Sequence, residues 1–240
     1  MEQEQEFNRA MVVVAHADDA EYGCSGTVAK WCAYGWKVVY VICTDGSKGG
    51  SDREMTQERL SAIRREEQTN AGKVLGIADV AFLDYEDSKL EPTLDLRRDI
   101  AREIRQHRPD VLVCPYPMRN LDGAGWGVGH PDHLAAGEAA LSAVFPTARD
   151  HMTFPEMLEE GLEPHKVAEV WVMGHPQPDH WVDVTDHIDT SAKALAQHVS
   201  QIGERPADEL AEMMRRGRRD RAIGKGMQYA EGFRRIVYGR

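Results

Sequence analysis

The sequence has no CxxC pair, no surplus of basic residues, no long apolar run and no GxGxxG after its first strand pattern. Each absence removes a class of protein. The four cysteines, Cys24, Cys32, Cys43 and Cys114, lack the paired spacing of a zinc or redox motif. Cys43 and Cys114 fall in apolar strand patterns, where cysteine behaves as a small buried hydrophobe. All four are read as reduced and structural. No stretch approaches the ~20 apolar residues of a membrane helix, so no membrane partner is expected. The opening MEQEQEFNRA is acidic and polar, unlike a secretion signal or transit peptide. The expected location is therefore cytoplasmic, where disulfides are rare. A net charge of −11 is the wrong sign for neutralising phosphates, which argues against nucleic acid. The one basic run, Arg215-Arg216-Gly217-Arg218-Arg219, reads as a solvated or inter-subunit helix face. Without the glycine fingerprint a dinucleotide is not expected. No repeat, Ser/Gly linker or low-complexity segment divides the chain, so residues 1–240 read as a single domain with a sizeable core.

Short β-branched runs alternate with helical patterns along the chain. Strands are expected at 10–15, 37–44, 79–84 and 110–115, with later ones near 168–173 and 181–184. Helices are expected at 22–35, 54–75, 94–107, 131–145 and 186–201, and through the C-terminal third. Leu60, Ile63, Ala71, Val74 and Leu75 recur at helical spacing, and Gly76 is a natural stop. Such alternation implies an α/β fold: a Rossmann-like three-layer sandwich with a mostly parallel sheet covered on both faces.

The richest segment is Val12-Val13-Val14-Ala15-His16-Ala17-Asp18-Asp19-Ala20-Glu21. An apolar strand runs straight into a histidine and two aspartates, at the sheet end where open α/β folds bind ligands. His16 and Asp19 can face one metal ion across the turn, which leaves Asp18 free to handle a proton. Acids also favour helix N-termini, so the pair gains weight only from a second segment. That segment is Gly129-His130-Pro131-Asp132-His133, placed just before an apolar helical pattern. Proline suits the first helical position, which puts His130 at the N-cap and His133 in the first turn. Residues three apart share a helix face. His16, Asp19 and His133 would then give three ligands and an open position, the pattern of a catalytic zinc site.

Together these segments resemble the LmbE-like, or PIG-L, family of zinc-dependent N-deacetylases. Arg64 through Gly76 (RREEQTNAGKVLG) is similar to the family's RxxE…LG helix, and Phe82-Leu83-Asp84-Tyr85 to the strand after it. Val182-Asp183-Val184-Thr185 and His198-Val199-Ser200-Gln201 resemble its DVT and HxSQ elements, so the likeness runs from about residue 10 to 235. Two positions depart from the pattern. Ala17 stands where the family usually has proline, which removes a fixed φ. Val128 stands where members acting on aminosugar thiols often have tyrosine.

The resemblance implies hydrolysis of an N-acetyl group from an N-acetylglucosamine-type aminosugar conjugate, a small-molecule substrate. One Zn2+ per chain would sit on His16, Asp19 and His133, a donor set that suits zinc. Asp18 would be the general base. His130, as an imidazolium, would stabilise the oxyanion or protonate the amine, with Asp132 orienting it. Arg64 would contact substrate, and a homo-oligomer, trimer or hexamer, is expected. Two glycine-rich loops, 44–50 and 120–127, follow strands and should line the cleft, offering Asp45 and Trp126 as further substrate contacts. Three rival readings remain: an amidase of the same family for a non-sugar amide, a metal-dependent phosphoesterase and a non-catalytic metal-binding homologue. His175-Pro176-Gln177-Pro178-Asp179-His180 echoes the second motif, but its prolines make it a connector.

Overall fold

β1 (Arg9–Val14) is buried from Ala10 onward, as a run apolar on both faces must be inside a covered sheet. Its side chains alternate. Met11, Val13 and Ala15 enter one core with α4 (Leu94–His107) and α5 (Pro131–Ser142). Ala10, Val12 and Val14 enter the other with α1 (Asp19–Gly23), α2 (Ser25–Ala33) and α3 (Gln57–Leu75). The computed structural model describes residues 7–50, 52–122, 128–203 and 205–238.

The remaining strands are β2 (Lys37–Thr44), β3 (Asp79–Tyr85), β4 (Val111–Pro115), β5 (Glu169–Met173), β6 (His180–Asp183) and β7 (Ala230–Val237). They form a seven-stranded sheet in the order β3-β2-β1-β4-β5-β7-β6. The first five are parallel; β7 runs antiparallel to both β5 and β6. This is the mostly parallel, helix-flanked sheet that the alternation implied. The chain leaves β1 towards β2 on one side, and β4 lies on the other. The crevice between the carboxyl ends of β1 and β4 is thus the switch point where such sheets bind ligands.

Local signals set the boundaries. Thr56 caps α3 by accepting from the Arg59 amide, and Gly76 ends it at φ 80°, a left-handed position that glycine takes without steric cost. The expected 22–35 helix begins earlier and breaks at Cys24 (φ −148°) into α1 and α2. The expected 131–145 helix ends at Ser142, and a π-type turn over Ala143–Thr147 carries Pro146, which lacks the amide that a regular helix needs. The 186–201 helix is three pieces: a 3-10 turn at Thr185–His187, α7 (Ile188–Leu195) and α8 (Val199–Ile202). Of the 175–180 segment expected as a connector, residues 175–179 join β5 to β6, and His180 is the first residue of β6.

The C-terminal third departs most. α9 (Ala207–Ala222) is helical, but β7 is a strand inserted between β5 and β6. Gly224 and Gly226, at φ 73° and 72°, turn the chain out of the helix. Phe233 is fully buried against Trp171, while Arg235 donates to Glu169 across the strand pair. The arginines that face outward give this strand a helix-like composition.

Candidate metal and active site

Three loops meet at the crevice. The first leaves β1 through Ala15, His16 and Ala17 and enters α1 at Asp18, whose φ is 91°. A non-glycine residue pays of the order of 1–2 kcal/mol for this conformation, so the surroundings must impose it. Arg64 and Gln68, four residues apart on α3, do so. Arg64 donates to the Ala17 carbonyl at 2.8 Å, and Gln68 Oε1 accepts from the Asp18 amide at 3.2 Å. These two bonds hold the turn at Ala17 without the fixed φ of a proline. Asp19 Oδ2 in turn accepts from the His16 amide at 2.8 Å.

The second loop enters α5. His130 is its N-cap, with Nδ1 accepting from the Asp132 amide at 3.2 Å and Pro131 in the first turn. His133 thereby faces back towards β1. The third loop follows β3, where Asp87 and Ser88 come up beside His16. The loop after β2 is knitted to it: Lys48 donates from its amide to Asp87 Oδ2 at 3.1 Å and from Nζ to the Asp87 carbonyl at 2.6 Å.

His16 is the hub, and its two ring nitrogens face different groups. Nδ1 lies 3.3 Å from His133 Nε2 and 3.5 Å from Asp19 Oδ2, while His133 Nε2 is 3.0 Å from Asp19 Oδ1. A tetrahedral ion with bonds of about 2.0–2.2 Å holds its ligands about 3.3–3.6 Å apart. Two of the three separations lie in that span, and the third, His133 to Asp19, is 0.3 Å shorter than its lower end. Nε2 lies 3.1 Å from Asp132 Oδ2 and 3.3 Å from Asp87 Oδ1. Two donor groups, His16 with His130 and His133 and His16 with Asp87 and Asp132, are close enough to hold a metal among the described residues.

The electrostatics ask for a cation. Burial of the His16 ring disfavours its charged form, yet Asp132, Asp19 and Asp87 outweigh that and push its pKa up to about 11. Asp19 is buried too, but His133 and His16 hold it well below the usual carboxylate range. Asp87 is likewise held low, against burial, by His16 and the Lys48 amide. Asp18 goes the other way. Burial and the neighbouring Asp19 charge push it up to about 7, against the pull of Arg64 and His198. Paired carboxylates driven apart in this way are suited to different tasks, one to hold charge and one to exchange a proton. His130 is lowered by burial and by the His16 charge.

His16, Asp18, Asp19, His130, Asp132 and His133 are therefore brought together, with Arg64 beside them, 3.8 Å from Asp18 and 3.7 Å from Asp87. Four expectations change. The Asp132 carboxylate orients His16, not His130: its Oδ2 bonds His16 Nε2 and accepts from the Ser88 amide at 2.7 Å, and His130 meets only its backbone. His130 is better described as a neutral imidazole carrying its hydrogen on Nε2, since Nδ1 is occupied as an acceptor. Asp45 braces the neighbouring loops: its Oδ1 accepts from the Ser47 and Asp87 amides at 3.0 and 3.1 Å. Arg64 likewise donates from its two terminal nitrogens to the Ala17, Gly46 and Lys48 carbonyls, while its buried Nε has no hydrogen-bond partner. Trp126 lies outside the described residues, as do its neighbours 123–127.

Sequence reading missed Asp87. Its only signal is a place just after β3, the same sheet end as the two motifs. Gln68 and Glu21 were given no role either, although Glu21 closes the first segment and Gln68 lies in the 64–76 stretch. All four cysteines are free, and no helix of the described residues is long and apolar enough to cross a membrane.

Residues 11–144, more than half of the chain, match the family described as PIG-L, GlcNAc-PI de-N-acetylase. The chain belongs to this family. It is 30% identical over 233 residues to the diacetylchitobiose deacetylase of Thermococcus kodakarensis, covering 95% of this chain and 83% of that protein. It is 29% identical over 197 residues to a probable N-acetyl-alpha-D-glucosaminyl L-malate deacetylase 2 of Bacillus anthracis, covering 80% of each. Among solved structures, the N,N'-diacetylchitobiose deacetylase of Pyrococcus horikoshii, complexed with its inhibitor MPG, superposes with a TM-score of 0.87 at 27% identity. That match covers 97% of this chain and 85% of that one.

Proposed function

We propose that this PIG-L family protein is a zinc-dependent deacetylase that hydrolyses the N-acetyl group of an N-acetylglucosamine-type conjugate. The observation that carries the reading is the shared ring of His16, with one nitrogen among Asp19 and His133 and the other against Asp132 and Asp87. A carboxylate behind a ligating histidine fixes its tautomer and raises its basicity. The names of the similar proteins, both deacetylases of N-acetylated glucosamine compounds, support the substrate class.

His16 Nδ1, Asp19 and His133 Nε2 would hold the ion, and two imidazoles with a carboxylate suit zinc. When bound, zinc supplies Lewis acidity, polarising the acyl carbonyl and lowering the pKa of a water from ~15.7 towards ~7. Asp18, with its pKa near 7, accepts the proton of the attacking water. A general base whose pKa lies close to the working pH contributes roughly 10²–10⁴-fold. His130 Nε2–H donates to the oxygen on which negative charge develops as the carbonyl carbon becomes tetrahedral. The C–N bond then breaks, and the proton held by Asp18 passes to the leaving nitrogen, giving acetate and a free amine. A homo-oligomer in the cytoplasm remains the expected setting.

The test is a free-amine release screen on N,N'-diacetylchitobiose, N-acetylglucosaminyl malate and non-sugar N-acetyl amides, with chelation and zinc re-addition. Activity on the sugars that falls with chelator and returns with zinc is expected. Non-sugar amides preferred by more than about tenfold in kcat/KM, a difference of ~1.4 kcal/mol, would overturn the sugar assignment and leave the hydrolase. No amine from any substrate after zinc loading overturns both.

A further inference from the structure

The Ala17–Asp18 peptide is gripped at both of its polar groups by one helix. Arg64 holds its carbonyl and Gln68 holds its amide. Fixing that plane fixes φ at Asp18, and with it the direction in which the carboxylate leaves the backbone. Arg64 can do its part in any setting that leaves its fork free to donate. Gln68 cannot, because an amide side chain can turn over and present NH2 where an acceptor is needed.

What prevents the flip lies beneath the site. Gln68 Nε2 donates to Glu21 Oε1 at 3.2 Å, so only one orientation of the amide satisfies both neighbours. The other oxygen of Glu21 stands 3.3 Å from His198 Nε2, an ion-pair distance without hydrogen-bond alignment. Gln68, Glu21 and His198 are all completely buried. A buried carboxylate survives only when paired. The segment bearing His198 is anchored to α3 in its own right, since the Ser200 amide and hydroxyl both donate to Glu67 at 2.7 Å.

We propose that Gln68, locked in orientation by the Glu21–His198 pair, is a positioning residue for the Asp18 base. The inference rests on the reading of Asp18 as that base. It predicts that the HxSQ segment reaches the chemistry through three buried side chains while touching neither substrate nor metal.

The test measures kcat, KM and bound zinc on N,N'-diacetylchitobiose. Gln68→Met keeps the volume but removes both hydrogen bonds. Its kcat should fall about 10- to 100-fold, because misplacement by about 1 Å can cost of the order of 10²-fold. KM and zinc per chain should stay within about twofold. Gln68→Glu sets a second carboxylate against Glu21 and should be at least as impaired. Combining it with Glu21→Gln restores an acceptor for Asp18 and a donor facing it, and should regain tenfold or more over Gln68→Glu alone. A Gln68→Met protein within threefold of the parent kcat per bound zinc overturns the inference. Should Gln68→Met fail to fold, equal activities of Gln68→Glu with and without Glu21→Gln overturn it. Asp18→Asn separates the two claims. If it keeps parental kcat, the base reading fails; if it is inactive while Gln68→Met is parental, only the positioning claim fails.

Discussion

The Nε2 atom of His16 stands 3.1 Å from a carboxylate oxygen of Asp132, across the ring from the nitrogen that faces Asp19 and His133. This divides the acids into two kinds. On the proposed assignment Asp19 touches the ion, while Asp132 and Asp87 act on it through the imidazole. Elemental analysis should therefore find about one divalent ion per chain, lost in His16→Ala, Asp19→Ala and His133→Ala. Asp132→Asn and Asp87→Asn should retain the site with affinity weakened roughly 10–100-fold, the usual loss when an outer partner of a ligand is removed. Unchanged metal in all three alanine variants would sink the ligand assignment.

Asp18 and His130 have to be tested apart from the ligands. Asp18→Asn removes proton acceptance but no ligand, so metal content should hold while kcat drops about 10²–10⁴-fold. His130→Ala should also keep its metal and lose about 10²–10³-fold, the magnitude found when one oxyanion donor is deleted. An Asp18→Asn protein that loses its metal, yet works once zinc is restored, would mean the two aspartates have exchanged roles.

That these residues come together was legible because they sit in local patterns. A β-branched run ending in His16 and Asp19 and a proline framed by His130 and His133 each record a turn in consecutive residues. The parallel strands were legible for the same reason, being continuous apolar runs. Asp87 was not, because its bond to His16 joins loops after different strands and leaves no spacing to read. β7 was hidden by Arg234 and Arg235, which pair with Asp179 and Glu169 and interrupt the apolar residues Ala230, Phe233 and Ile236 that pack into the core. The orientation of Asp132 depends on Ser88, which again comes from the β3 loop.

Stability should carry the cost of holding Asp18 ready. Burial and the Asp19 charge raise its pKa from 3.8 to about 7 in the folded chain. Below the unfolded value both states are protonated and no cost arises. Between the two values the unfolded carboxylate ionises while the folded one does not, so folding weakens as pH rises. In metal-free protein Asp18→Asn should thus raise Tm at pH ~8, and the gain should shrink as pH falls below ~7. Each kcal/mol is worth about 2–4 °C for a chain of this size. A Tm difference that is flat, or that grows towards acid, contradicts the environment described for Asp18.

The last prediction concerns two glycines in helices, expected to respond with opposite sign to the same substitution. At Gly137 in α5 an added Cβ would lie 2.3 Å from the Pro115 carbonyl oxygen and 3.3 Å from Pro117 Cα. Both neighbours are backbone, so α5 itself must move away from the end of β4. Overpacking of this kind costs about 1–3 kcal/mol. The displaced helix carries His130 and His133, so Gly137→Ala should lower both Tm and metal affinity. At Gly217 in α9 an added Cβ meets nothing within 4 Å, and alanine there gains about 0.5–1 kcal/mol from its better helix propensity. Gly217→Ala should raise Tm and leave metal affinity alone. Thermal melts with and without zinc, alongside metal titrations, decide both. A Gly137→Ala protein as stable and as tightly metal-binding as the parent would show that α5 is not held by its approach to β4, and the placement of His133 would then need another cause.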